Sequence, residues 1–255
     1  MKRSQFALAV GLAGSLLCAA CLQDNVVNRS QQDAAEVDAT VFATPVRVGG
    51  DEAASVERTP GAGVDGADVW SFDRCRITTA LPAGYPAPTP PDALEIKRYP
   101  KARRAEFRAS MWPDMGRNVA FWPLFNHIKE REIAMTSPVE MDYSGVDGDG
   151  KIQKGPWIMS FLYREPEMGK VEEDGSVSVV DREPVLVLSL GQRGEYETER
   201  ANQGLAQMRE WLERDGRFEA AGAPRSLYYN GPEMRGRDKW SEVQLPIRRR
   251  AARGG

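Results

Sequence analysis

Apolar and polar positions are most regularly patterned between residues 94 and 247. Val139, Met141 and Tyr143 alternate with Glu140 and Asp142, which predicts a strand with one buried face. "ALEIKRYP" and "RRAEFRA" read as two strands, or as one broken at Pro100, and "WIMSFLYR" reads as another. "SVSVVDREPVLVLSLG" predicts a strand, a turn at Arg182-Glu183-Pro184 and a second strand; "SLYYNGP" and "WSEVQLPI" add two more. Helical spacing occurs twice. Residues 118–130 predict an aromatic helix, and with Asn118 as its N-cap the helix either starts later than that or bends at Pro123. Residues 196–215 predict the clearer helix, because Ala201, Leu205, Met208 and Leu212 form one apolar stripe and Asp215-Gly216 stops it.

The pattern repeats. Tyr99-Pro100 precedes Glu183-Pro184 by 84 residues, Leu124 and Ile128 precede Met208 and Leu212 by 84, Pro138 precedes Pro224 by 86, and Trp157 precedes Trp240 by 83. Two copies of one unit, each with a sheet face it cannot cover alone, predict an α+β domain: one antiparallel sheet or barrel with two helices outside.

The ends of the chain differ from its centre. Lys2 and Arg3 precede an apolar run from Phe6 to Leu17, then Ala19-Ala20-Cys21, the layout of a secretory signal over residues 1–20. Small residues before a cysteine also suit a bacterial lipobox, with Cys21 as the acylated residue, although Cys18 stands where Leu is usual. The expected location is the cell envelope, lipid-anchored or periplasmic. Residues 21–93 read as an extended Pro- and Gly-containing tether, with five prolines between Pro82 and Pro91; "VWSFDRCRI" has enough apolar content to dock as an edge segment. Residues 94–247 read as the folded domain and 248–255 as a basic disordered tail.

Loss of residues 1–20 removes two cations and no acid, taking the formal charge from −3 to −5, so nothing suggests a nucleic-acid partner. The remaining cysteines, Cys21 and Cys75, are an acylated and a free thiol or a disulfide pair, and without C-x-x-C they build no metal site. "VDGDGKI" fails the EF-hand spacing and reads as a hairpin turn.

"NVAFWPLFNHIKEREIAMTSPVEM" resembles the signature of the SOUL, or haem-binding protein, family: an aromatic helix followed by a Met-Thr-Ser-Pro-Val run. The resemblance extends through "RSLYYNGPEMRGRDKWSEV", covering about residues 94–247. It implies a distorted antiparallel β-barrel of two βαββ-like repeats with two flanking helices. It also implies haem or another tetrapyrrole as ligand, in an apolar cleft beside the first helix. The Thr-Ser-Pro run has a plainer structural reading, as the turn that sets the angle between helix and strand.

Phe121, Trp122 and Phe125 are the residues expected to stack on a ligand. His127, the only histidine, is a candidate axial ligand to iron. A helical wheel puts it about 120° from the apolar face, so it reads better as a partly solvent-facing flank residue. Met135, Met141 and Met159 are weaker ligands, better explained by packing. Arg117 and Lys129, which bracket the first helix, and Arg235, Arg237 and Lys239 in the last loop, could pair with propionates or be solvated surface charges. One histidine with no nearby cysteine leaves little for an enzyme, so no catalytic residue is expected. The expected function is tetrapyrrole binding at the membrane surface; the alternative is a binding module for another apolar ligand or a protein partner.

Overall fold

The structure is a computed structural model that describes residues 42–251. Cys21, the signal segment, the start of the tether and the last four residues of the tail lie outside the described residues. The strands are β1 (Val46–Gly50), β2 (Glu57–Thr59), β3 (Val69–Phe72), β4 (Cys75–Ile77), β5 (Ala93–Tyr99) and β6 (Ala102–Met111). Helix α1 (Pro113–Glu130) follows, then β7 (Val139–Tyr143), β8 (Gly155–Leu162), β9 (Glu172–Asp174), β10 (Val177–Arg182) and β11 (Val185–Arg193). Helix α2 (Thr198–Asp215) leads into β12 (Phe218–Ala220), β13 (Arg225–Tyr228) and β14 (Trp240–Arg249).

Eleven strands form one antiparallel sheet in the order β1-β5-β11-β14-β13-β7-β8-β6-β10-β9, with β12 added to β14; among the described residues no pairing joins β1 to β9. β2, β3 and β4 form a separate three-stranded sheet. The fold is therefore α+β, a large antiparallel sheet with two helices.

Side chains alternate across this sheet, and both faces are buried. On one face Leu94, Ile96, Met141, Tyr143, Met159 and Phe161 pack with the buried stripes of the helices. On the other, Tyr99, Val187, Leu227, Tyr229 and Trp240 pack against Cys75 and Ile77. Glu140 was expected to face solvent. It is buried instead, accepting from Arg104 Nη1 at 2.8 Å, and the same guanidinium binds Glu106 at 2.7 Å and Asp142 at 2.6 Å.

The tether reading needs correction. β1 pairs with β5, and residues 85–91 lie along the second face of the sheet. Prolines bring no N–H to satisfy, so this extended segment is held through its few polar groups. Thr89 N–H donates to Glu242 at 2.7 Å, Trp240 Nε1 donates to Thr89 O at 2.8 Å and Lys97 Nζ donates to Ala87 O at 2.7 Å. Glu242 and Lys97 are 3.0 Å apart and fully buried. Burial alone would push the Glu242 carboxyl up. The Lys97 charge and hydrogen bonds from Ser189, Thr89 N–H and Tyr229 outweigh it and hold the group below its ordinary value.

Helix α1 starts five residues before the expected cap. Pro113 opens it, where a missing N–H costs nothing and φ is already set, and Trp112 rather than Asn118 is the N-cap. Pro123 then lies well inside the helix, where a proline costs roughly 3 kcal/mol. Burial of Ala120, Leu124 and Ile128 on the sheet offsets that cost. Helix α2 keeps its expected stripe and ends at Gly216, whose φ of 71° suits a residue without Cβ.

Candidate functional site

The turn after α1 is tied at three points. Thr136 Oγ1 donates to Leu162 O at 2.6 Å, Ser137 Oγ donates to Tyr229 O at 2.8 Å, and Ser137 N–H donates to Ala80 O at 2.9 Å. The Ser137–Pro138 peptide is cis. These partners lie far away in sequence, at the end of β8, just past β13 and in the segment before β5. The run therefore fixes where α1 stands relative to β7, β8 and β13, as its structural reading expected.

A cleft of about 570 Å³ opens between α1 and this framework. Phe121, Trp122 and Phe125 line one wall. Phe121 and Phe125 stack with ring centroids 5.8 Å apart, and Trp122 meets Phe125 edge-on at 6.0 Å. Phe121 also packs edge-on against Phe161 beneath it at 5.3 Å. Tyr196 and Tyr228 form the opposite wall, stacked at 4.3 Å, and Met135 and Met159 lie between. Tyr196 OH donates to Trp240 O at 3.0 Å and accepts from Asn230 N–H at 2.8 Å. Tyr228 and Tyr143 share a hydrogen bond of 2.9 Å. Burial pushes the Tyr196 and Tyr143 phenols well above their ordinary range, so both stay neutral.

Two cations edge the cleft. Arg117 is half-buried, bonds Asp114 at 2.9 Å and lies 5.6 Å from the Tyr228 ring centre. Lys239 bonds Glu195 at 3.2 Å and lies 5.1 Å from the Tyr196 ring centre.

Four expected site residues lie elsewhere. His127 is not on a partly solvent-facing flank: its side chain is 1% exposed. Nδ1 is 2.9 Å from Asp174 Oδ2 and Nε2 is 3.0 Å from Tyr163 OH. The wheel missed this because β9 and the end of β8 cover that side of α1, and no periodicity in α1 reports what folds over it. The hydrogen bond from His127, then the Arg131 charge, hold the Asp174 carboxyl below its ordinary value. Lys129 is exposed in the last turn of α1, Arg235 is exposed ahead of a 3-10 turn at Gly236–Asp238, and Arg237 belongs to a neighbouring polar depression beside Arg193 and Arg200. Sequence reasoning missed Tyr196 and the Tyr228-Tyr229-Asn230 run as liners. The doubled tyrosine before Asn-Gly-Pro was the available signal.

Residues 85–246 match the family described as SOUL heme-binding protein. The chain belongs to the SOUL family. No curated protein matches the chain. Among solved structures, the chain is similar to EcmrR in a complex with DNA, with a TM-score of 0.51 at 14% identity over 61% of this chain and 57% of that one. It thus spans little more than half of that protein's length. A hydrolase from Listeria innocua gives a TM-score of 0.46 at 15% identity, covering 63% of this chain and 93% of that one. SAV2435 bound to tetraphenylphosphonium gives 0.39 at 8%, covering 61% and 93%. At 14% identity the likeness to EcmrR is one of fold alone. SOUL membership directs attention to haem and related tetrapyrroles. The cleft has aromatic walls, and Arg117 and Lys239 are the two cations at its edge that would face the carboxylates of such a group.

Proposed function

We propose that this SOUL protein binds a tetrapyrrole in the cleft beside α1, mainly by apolar burial and ring stacking, and catalyses no reaction there. The observation that carries the reading is the stacked pair Phe121 and Phe125, with Trp122 beside them, on the wall of a 570 Å³ cleft. Micromolar affinity requires about 8 kcal/mol, equivalent to burying about 330 Å² of apolar surface before association costs. With burial of both macrocycle faces as the main source of that energy, iron ligation is optional. His127 has no part in this proposal: both its nitrogens are engaged and it does not line the cleft. Arg117 and Lys239 meet the propionates, each exchanging its carboxylate partner for the ligand's.

We also infer that the protein is exported and anchored through Cys21, from the basic, apolar and small-residue order before that cysteine. The framework is read as two copies of one unit. β6-β8-β7 with α1 and β11-β14-β13 with α2 pair alike, at offsets close to those of the sequence repeat. The test is titration of the purified protein with haemin and with metal-free protoporphyrin. Saturable binding of both, near one per chain and at micromolar concentration or below, is expected. If neither binds, the cleft serves another apolar ligand.

A further inference from the structure

The outward face of α1 carries an apolar stripe of which the cleft uses only one residue. Met115, Val119 and Trp122, at i, i+4 and i+7, share that face, and Trp112 precedes its first turn. Their exposures are 76%, 54%, 61% and 44%, and they are four of the seven large apolar side chains exposed among the described residues. Single exposed apolar residues are ordinary, but a concentration of them marks a contact surface. The same face continues by helical spacing to Asn126 and Lys129, both exposed. The acids of α1, Asp114 and Glu130, stand near its two ends.

We propose that this face docks on the surface of a lipid bilayer. Met115 and Val119 enter the acyl boundary, Trp112 and Trp122 sit at headgroup level, and Lys129 reaches the phosphates. The stripe is continuous with the cleft, since Trp122 belongs to both. An apolar ligand could then pass between bilayer and cleft without crossing water; that clause rests on the tetrapyrrole reading. The chain ahead of Phe42 supplies the second argument. Cys21 lies 21 residues before Phe42, a span of at most about 70 Å when extended. With Cys21 acylated, the domain stays at high effective concentration over the membrane, and a small docking face suffices.

The test uses the full-length protein on phosphatidylcholine vesicles whose acyl chains are brominated near the headgroup. Of the six tryptophans, Trp157 and Trp240 are fully buried and Trp70 and Trp211 are partly buried on other elements, so the quenching that substitutions on α1 remove reports on Trp112 and Trp122. The wild-type emission should fall by a third or more relative to unbrominated vesicles. Met115→Glu combined with Val119→Glu should remove at least half of that quenching, with the protein still on the vesicles through its anchor and its circular dichroism unchanged. Neither residue lines the cleft, so porphyrin affinity of this variant, measured in buffer, should stay within twofold; failure of the cleft reading would show separately as no porphyrin binding by the wild type. An unquenched wild type, or quenching that survives the two glutamates, overturns the proposal. So does cross-linking of this face to a second copy in place of quenching.

Discussion

The buried ion pair on the second face of the sheet sets the first prediction. Lys97→Met leaves the Glu242 carboxylate buried without its cation, and loss of one partner from a buried pair costs about 3–5 kcal/mol. Urea unfolding of Lys97→Met, Glu242→Gln and the double variant should show the double costing clearly less than the sum of the two singles. Additive losses would mean the pair is not coupled. A second test is pH-dependent. A hydrogen bond from Arg103, with help from Lys101, holds the Asp181 carboxyl at about 2 from an ordinary value of 3.8. A depressed carboxylate contributes its stability above its unfolded pKa and loses it as pH falls through the folded value. Thermal stability should therefore drop between pH about 4 and about 2, and Asp181→Asn should flatten that part of the profile. Sequence alone could not place these groups. Lys97, Glu140 and Glu242 alternate with apolar neighbours as surface residues do, and only the chain folded over their face distinguishes them.

At the level of elements, each helix packs tightly on the sheet at a glycine. A Cβ on Gly116 of α1 would stand 2.3 Å from Trp157 Cζ2, and one on Gly204 of α2 would stand 2.5 Å from Val243 Cγ1. Trp157 is fully buried and has little room to move. Gly116→Ala should cost about 1–3 kcal/mol despite the better helix propensity of alanine, as read from thermal melts. A stabilised variant would mean that α1 stands farther from β8. The elements themselves were largely legible. Period-two runs located β5, β6, β7, β8, β10, β11, β13 and β14, and the stripe from Ala201 to Leu212 located α2. The start of α1 was missed because Asn118 is a good cap by residue type, while Pro113 is better by backbone geometry. The strands β1 and β2 are short, with no alternation long enough to read.

For the whole molecule, the sequence signature located the cleft wall formed by α1, but not the wall brought to it from 70 to 110 residues away by β13 and the start of α2. Nor did proline content reveal that residues 85–91 close one face of the sheet. That closure predicts a boundary: limited proteolysis should leave a resistant fragment beginning ahead of Val46, whereas one beginning near residue 90 would contradict the packing of β1 on β5. The central claim is that the cleft holds a tetrapyrrole by burial rather than through histidine. The most direct measurement compares haemin and metal-free protoporphyrin affinities in three proteins: wild type, His127→Ala, and Phe121→Ser with Phe125→Ser. The account predicts that His127→Ala changes neither affinity more than about twofold, while loss of the two phenylalanines weakens both by tenfold or more, about 1.4 kcal/mol. Loss of haemin binding in His127→Ala, with both ligands still bound by the double-serine protein, would contradict it.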